Sequence, residues 1–132
     1  MDVSFPAADG TMAMTESGTF TGTLTGCTTS PTVTFTYVKT GKAVTISSDG
    51  QYTATQNSTV HTITGLPSSL YPVHQTLVFF YCSDNGATSS LGYSWITTGG
   101  VINVRANMAA ANWSGTGSLN ITFPAFTYIT AA

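Results

Sequence analysis

Apolar and polar residues alternate with a period of two along most of this chain. Phe20 and Leu24 fall on one face of residues 19–25, and Thr19, Thr21, Thr23 and Thr25 on the other. Residues 32–38 set Val33, Phe35 and Tyr37 against Thr32, Thr34 and Thr36. Successive side chains of a strand point to opposite faces, and β-branched residues suit the pleat, so both segments are predicted strands. Lys39-Thr40-Gly41-Lys42 reads as a hairpin connection into a strand over 43–47, where Val44 and Ile46 resume the inward set. Further strands are predicted at 51–55, 59–64, 75–82, 91–97, 101–105, 118–123 and 126–130. Gly99-Gly100 and Asp84-Asn85-Gly86 supply residues that tolerate positive φ at turns. Only Ala106–Ala111 has a helix-favouring composition, enough for a turn or two. Eight to ten short strands at this spacing predict an all-β fold, a jelly-roll-like antiparallel β-sandwich. The expected domain spans 18–132, with 1–17 as an N-terminal connector or attachment segment.

One segment breaks the alternation. Leu77-Val78-Phe79-Phe80-Tyr81-Cys82 is apolar on both faces. In a small antiparallel sandwich one face meets the core and the other usually meets water. A doubly apolar strand needs a covering loop or a neighbouring subunit, and left bare it is an aggregation hazard. Val78 and Phe80 are the expected subunit-interface residues.

Charge sharpens this picture. Of 132 residues, 26 are threonine and only eight carry formal charge, 6% against the roughly 25% of ordinary domains. Charge normally keeps surfaces soluble and strand edges apart, so the chain is expected to pack against copies of itself. Three cations, Lys39, Lys42 and Arg105, are too few to build a phosphate-tracking groove, so no nucleic-acid partner is expected. No apolar stretch approaches the ~20 residues that cross a bilayer, so no membrane insertion is expected either. Residues 1–10 contain Asp2 and Asp9 and show no basic and apolar leader pattern. Cys27 and Cys82 suit either one bridge or two buried thiols.

Catalytic constellations are sparse. Asp49 precedes Gly50 and Asp84 opens an Asp-Asn-Gly turn, so both carboxylates read as turn residues. His61 and His74 have no metal-ligand spacing with each other or with the cysteines, and His61 reads as a surface or interface residue in a strand. Gly92-Tyr93-Ser94-Trp95-Ile96 fails the nucleophile-elbow pattern at its last position. Gly115-Thr116-Gly117-Ser118 lacks the lysine of a phosphate loop. No catalytic, metal or cofactor-binding residue is expected, and the chain reads as a non-enzyme. The candidates for recognition are aromatic: Trp113 beside Asn112, and Tyr93 alternating with Trp95. Aromatic faces flanked by amides suit sugar rings, although such residues more often fill a core.

Several segments carry a resemblance. Gly18-Thr19-Phe20-Thr21-Gly22-Thr23-Leu24-Thr25-Gly26-Cys27, the hairpin Tyr37–Ile46, the segment Ile63–Pro72 and the turn Asp84–Ala87 together resemble the C-terminal domains of bacteriophage tail fibres and related virion proteins. Residues 4–15 resemble the connectors that join fibre shafts to such domains. The likeness covers most of 4–105. It implies a virion structural protein, usually a homotrimer, whose partners are its own copies, other virion proteins and a host-surface polysaccharide or protein. The leading expectation is a tail-fibre or spike tip that attaches to host glycan. Only about 17 residues precede the first predicted strand, which leaves open a capsid decoration protein; a secreted carbohydrate-binding module is the third reading.

Overall fold

A computed structural model describes residues 14–132. Among them are ten strands and one 3-10 turn. The strands are β1 (Thr15–Leu24), β2 (Thr32–Thr40), β3 (Ala43–Ser48), β4 (Tyr52–Thr55), β5 (His61–Thr64), β6 (Thr76–Asp84), β7 (Ser90–Ile96), β8 (Ile102–Arg105), β9 (Ser118–Thr122) and β10 (Phe126–Ile129), with the 3-10 turn at Ser68–Leu70. The all-β class and all ten predicted strands are present. β1 starts four residues earlier than expected, pairing Thr15 with Thr40 and Ser17 with Val38. The last three residues of the expected connector therefore belong to the sheet, and 1–13 lie outside the described residues. Ala106–Ala111 is a turn rather than a helix, closed by the Asn107 carboxamide oxygen accepting the Ala109 and Ala111 amides.

All strands join one antiparallel sheet in the order β10-β3-β2-β1-β5-β8-β7-β6-β9-β4. The sheet curls over so that its two halves face each other like a sandwich. Its inner face buries Phe20, Leu24, Val33, Phe35, Val44 and Ile46 from one half against Val78, Phe80, Ile96, Val104, Leu119 and Ile121 from the other. Phe123, just past β9, bridges the halves: its ring lies 5.7 Å from Phe35 and 4.9 Å from Phe80.

Both sheet edges are partly capped by the chain itself. On the β10 side, the Val73 amide donates to Ile129 O and the Ala131 amide to Tyr71 O. On the β4 side, Cys27 bridges Gln56, the Thr28 amide donates to Thr55 O, and the Tyr52 hydroxyl lies between the Thr34 amide and carbonyl. Unpaired edges invite pairing with other chains; here the chain itself engages the Ile129 end of β10 and the Thr55 end of β4.

The outer surface of β1, β2, β3 and β10 is a lawn of threonine, with Thr15–Thr40 and Thr45–Thr127 hydroxyl pairs at 3.1 and 2.7 Å. The outer surface of β6 and β7 is different.

Candidate functional site

Strand β6 buries Val78, Phe80 and Cys82 and turns Leu77, Phe79 and Tyr81 to solvent at 54, 47 and 59% exposure. This corrects the expected subunit interface. Val78 and Phe80 pack inside their own protomer, and the uncovered apolar face of β6 is the opposite one. Strand β7 explains the parity. Its small residues Gly92 and Ser94 point inward, while Leu91, Tyr93 and Trp95 point outward. A methyl group at Gly92 would sit 2.4 Å from Phe80 Cζ, so the Phe80 ring occupies the space a larger side chain would need. Ser94 is satisfied by donating its hydroxyl to Val78 O at 2.8 Å.

Pairing sets Leu77 opposite Trp95, Phe79 opposite Tyr93 and Tyr81 opposite Leu91. On the far side of β7, β8 places Asn103 opposite Trp95 and Arg105 opposite Tyr93. The outcome is an outward grid, three apolar rows wide on β6 and β7 and polar on β8. The Tyr93 and Trp95 rings lie 5.7 Å apart. The Arg105 guanidinium sits 5.3 Å from the Trp95 centroid, within cation–π range, and donates to Asn112 Oδ1 at 2.8 Å. The structure thus brings Tyr93, Trp95 and, through Arg105, Asn112 to one corner.

Trp113 does not join them. Only 2% of it is exposed; its Nε1–H donates to Val104 O at 3.0 Å and its ring meets His61 edge-on at 5.6 Å. It closes the core beneath the 112–117 loop and is not presented for stacking on a ligand.

A second cluster went unseen in the sequence. Asp84 does more than shape its turn, where the Ala87 amide donates to its carbonyl. Its carboxylate accepts from Gln56 Nε2 at 2.7 Å, Ser114 Oγ at 2.7 Å and the Ser114 amide at 2.8 Å. Gln56 Oε1 in turn faces His61 Nε2 at 3.0 Å, and His61 Nδ1 faces the Thr25 carbonyl at 2.9 Å. His61 is 1% exposed, so it is a core residue rather than the surface or interface residue expected. The chain ties the Asp84 turn, the 114–117 loop and the end of β1 together through this network. Cys27 and Cys82 are buried free thiols whose pKa values burial raises. Among the described residues, no three His, Cys, Asp or Glu side chains converge on a metal position.

Two opposing effects set the charge of His61. Burial lowers its pKa, and the Thr25 carbonyl and the Asp84 carboxylate only partly restore it. For Asp84, burial works to raise the pKa, but hydrogen bonds from Gln56 and Ser114, with help from His61, bring it below the usual value. The signs agree. As pH falls through about 6.5, the unfolded chain takes up a histidine proton that the folded chain resists. Stability is therefore expected to decline below that pH, and to decline further as the carboxylate range is crossed. Urea midpoints at neutral and mildly acidic pH check this, and His61→Gln should flatten the first part of the fall.

A depression of about 60 Å³ lies beside Tyr81, lined by Gln51, Cys82, Ser89, Asn120 and Thr122. It is smaller than the roughly 300–1,000 Å³ of typical ligand clefts. The outward grid is the larger exposed feature of this face.

No protein-family model matches the chain, and no curated protein does. Its fold is similar to that of the reovirus attachment protein sigma1, solved in complex with alpha-2,3-sialyllactose. The TM-score is 0.54 at 15% identity, over 89% of this chain and 67% of that one. At that identity the likeness is one of architecture.

Proposed function

We propose that this domain is the receptor-binding tip of a virion attachment protein of the bacteriophage tail-fibre kind, working as a homotrimer on the particle surface. It grips host-surface glycan and performs no chemistry on it. The observation that carries this reading is the corner built by Tyr93, Trp95, Arg105 and Asn112, four side chains brought together where the outward face of β7 meets β8. A sugar ring offers C–H groups to an aromatic face and hydroxyls to amide and guanidinium donors. Stacking on Trp95 and bonding to Asn112 hold the Arg105 fork in one orientation, which lowers the ordering cost of a ligand contact. A fold shared with an attachment protein solved with a sialylated trisaccharide supports the same reading. One such corner is shallow and weak. Three on a rigid knob raise the apparent affinity by 10²-fold or more through effective concentration.

The test is a glycan array of bacterial-surface and sialylated saccharides, read with the wild type and Trp95→Ala. At least one saccharide is expected to bind, and Trp95→Ala to weaken it by tenfold or more, about 1.4 kcal/mol per site, with an unchanged circular dichroism spectrum. Absence of binding to every saccharide, or equal binding by the variant, removes the corner from any recognition role.

A further inference from the structure

We infer that the outward ridge of Leu77, Phe79 and Tyr81 on β6 and Leu91 on β7 is a contact surface between copies of this chain. The first ground is a contrast within one sheet. Strands β1, β2, β3 and β10 show how this sequence builds a wet outer face: Thr19, Thr21, Thr36, Thr45 and Thr127 all point outward and are exposed. The same positions on β6 and β7 carry leucine, phenylalanine and tyrosine. In β7 the size order is reversed, with glycine and serine turned to the core and the bulky residues turned away from it. Sending the larger apolar set outward raises the cost of a free surface, unless that surface is covered.

The second ground is size. Leu77, Phe79, Tyr81 and Leu91 are exposed by 54, 47, 59 and 46%. About half the area of four large side chains is on the order of 400 Å², comparable to the largest apolar patch of a typical monomer. Thr122, opposite Tyr81, extends the ridge toward the ~800 Å² that each partner of a stable interface contributes.

The third ground identifies the occupant. Leu77, Phe79 and Leu91 offer no polar side-chain group to a sugar, and the ridge offers no cation to a phosphate or an acidic partner. The chain itself covers one end of each edge strand, which shortens the backbone offered for strand addition and favours association through a face. A second copy brings an identical uncharged ridge, so neither partner must desolvate an ion. With a net charge of −2, copies also repel one another weakly. Arg105 and Asn112 lie beyond the ridge on the β8 side and stay open at its margin.

The experiment is light scattering behind size exclusion, from micromolar to tens of micromolar. Wild type is expected at two or more times the 13.7 kDa of one chain, and Leu77→Thr/Phe79→Thr, which installs the residue of the wet face, at the single-chain mass with native circular dichroism. Val38→Thr, at an exposed position on β2, should assemble like the wild type. If the double variant does not fold, Tyr81→Glu adds a charge at a solvent-facing position and should dissociate the assembly. A monomeric wild type, even one that a host protein covers instead, overturns the inference, as does a folded ridge variant that keeps the assembled mass. The ridge does not depend on the glycan reading: an assembly that binds no saccharide sinks only that reading, and a monomer that binds one sinks this inference and the proposed homotrimer but leaves the glycan corner standing.

Discussion

Replacing Phe80 by alanine is expected to destabilise the domain by about 3–5 kcal/mol and to lower its melting temperature by on the order of 10–20 °C. The ring is fully buried, stacked on Phe123 at 4.9 Å and close to Trp113 at 6.4 Å, so its loss opens a cavity between the two halves of the sheet. Gly92 provides a diagnostic partner. A methyl at Gly92 would lie 2.4 Å from Phe80 Cζ, so Gly92→Ala alone should overpack the core and cost about 1–3 kcal/mol. In the Phe80→Ala background the same methyl enters the vacated space, and its effect should vanish or turn favourable. A double-mutant cycle by urea unfolding measures this coupling. Additive costs would mean that Phe80 does not set the parity of β7. Phe79→Thr, one residue away but facing outward, should leave the stability of the isolated chain within about 1 kcal/mol.

Gly26→Ala is expected to cost about 2–5 kcal/mol. Gly26 has φ +82°, a conformation that side chains rarely adopt, and an added Cβ would sit 2.4 Å from Val60 O and 2.5 Å from His61 Nδ1. One obstacle is a ring that can move; the other is backbone at the entrance to β5. Displacing it strains the Asn57 amide bond to Gly26 O and the His61 contact with Thr25 O. Removing the ring should therefore restore little: Gly26→Ala/His61→Ala is expected to remain well below His61→Ala alone. Denaturant midpoints of the two variants decide it, and equal midpoints would show that the ring was the sole obstacle.

Much of this architecture is legible in the alternation of threonine with large apolar residues. Where one face is wet, a period of two specifies both the strand and its orientation, as in β1 and β2. The Asn85-Gly86 turn and the Gly41-Lys42 hairpin follow from local chemistry, with positive φ at Asn85, Gly86 and Gly41. Strand β6 was legible as a strand but not in its orientation. With apolar residues at both parities, nothing local separates Phe79 from Phe80. The choice is made across the sheet, by glycine and serine of β7 facing the core, and that register is not visible from β6 alone.

The aromatic site shows the same division. Tyr93 and Trp95 are outward partners in one strand, as their spacing allowed. Trp113 misleads because an Asn/Ser/Gly neighbourhood signals an exposed loop, while its Nε1 bond to Val104 O depends on a contact nine residues away in sequence. His61 and Asp84 were separated by 23 positions and joined through Gln56, a residue that no motif marks. Arg105 was noted only as a scarce cation. Its value comes from the register that sets it beside Tyr93 and over Trp95.

The central claim is that the ridge of Leu77, Phe79 and Tyr81 is kept dry by contact between copies and not by the protein's own loops, while the Trp95 and Arg105 corner stays open. Hydroxyl-radical footprinting across a dilution series tests it directly. At tens of micromolar, Leu77, Phe79 and Tyr81 are expected to be protected and to gain label as the protein is diluted, while Val38 and Ile129, exposed on other strands, label equally throughout. Full labelling of Phe79 and Tyr81 at every concentration would contradict the claim.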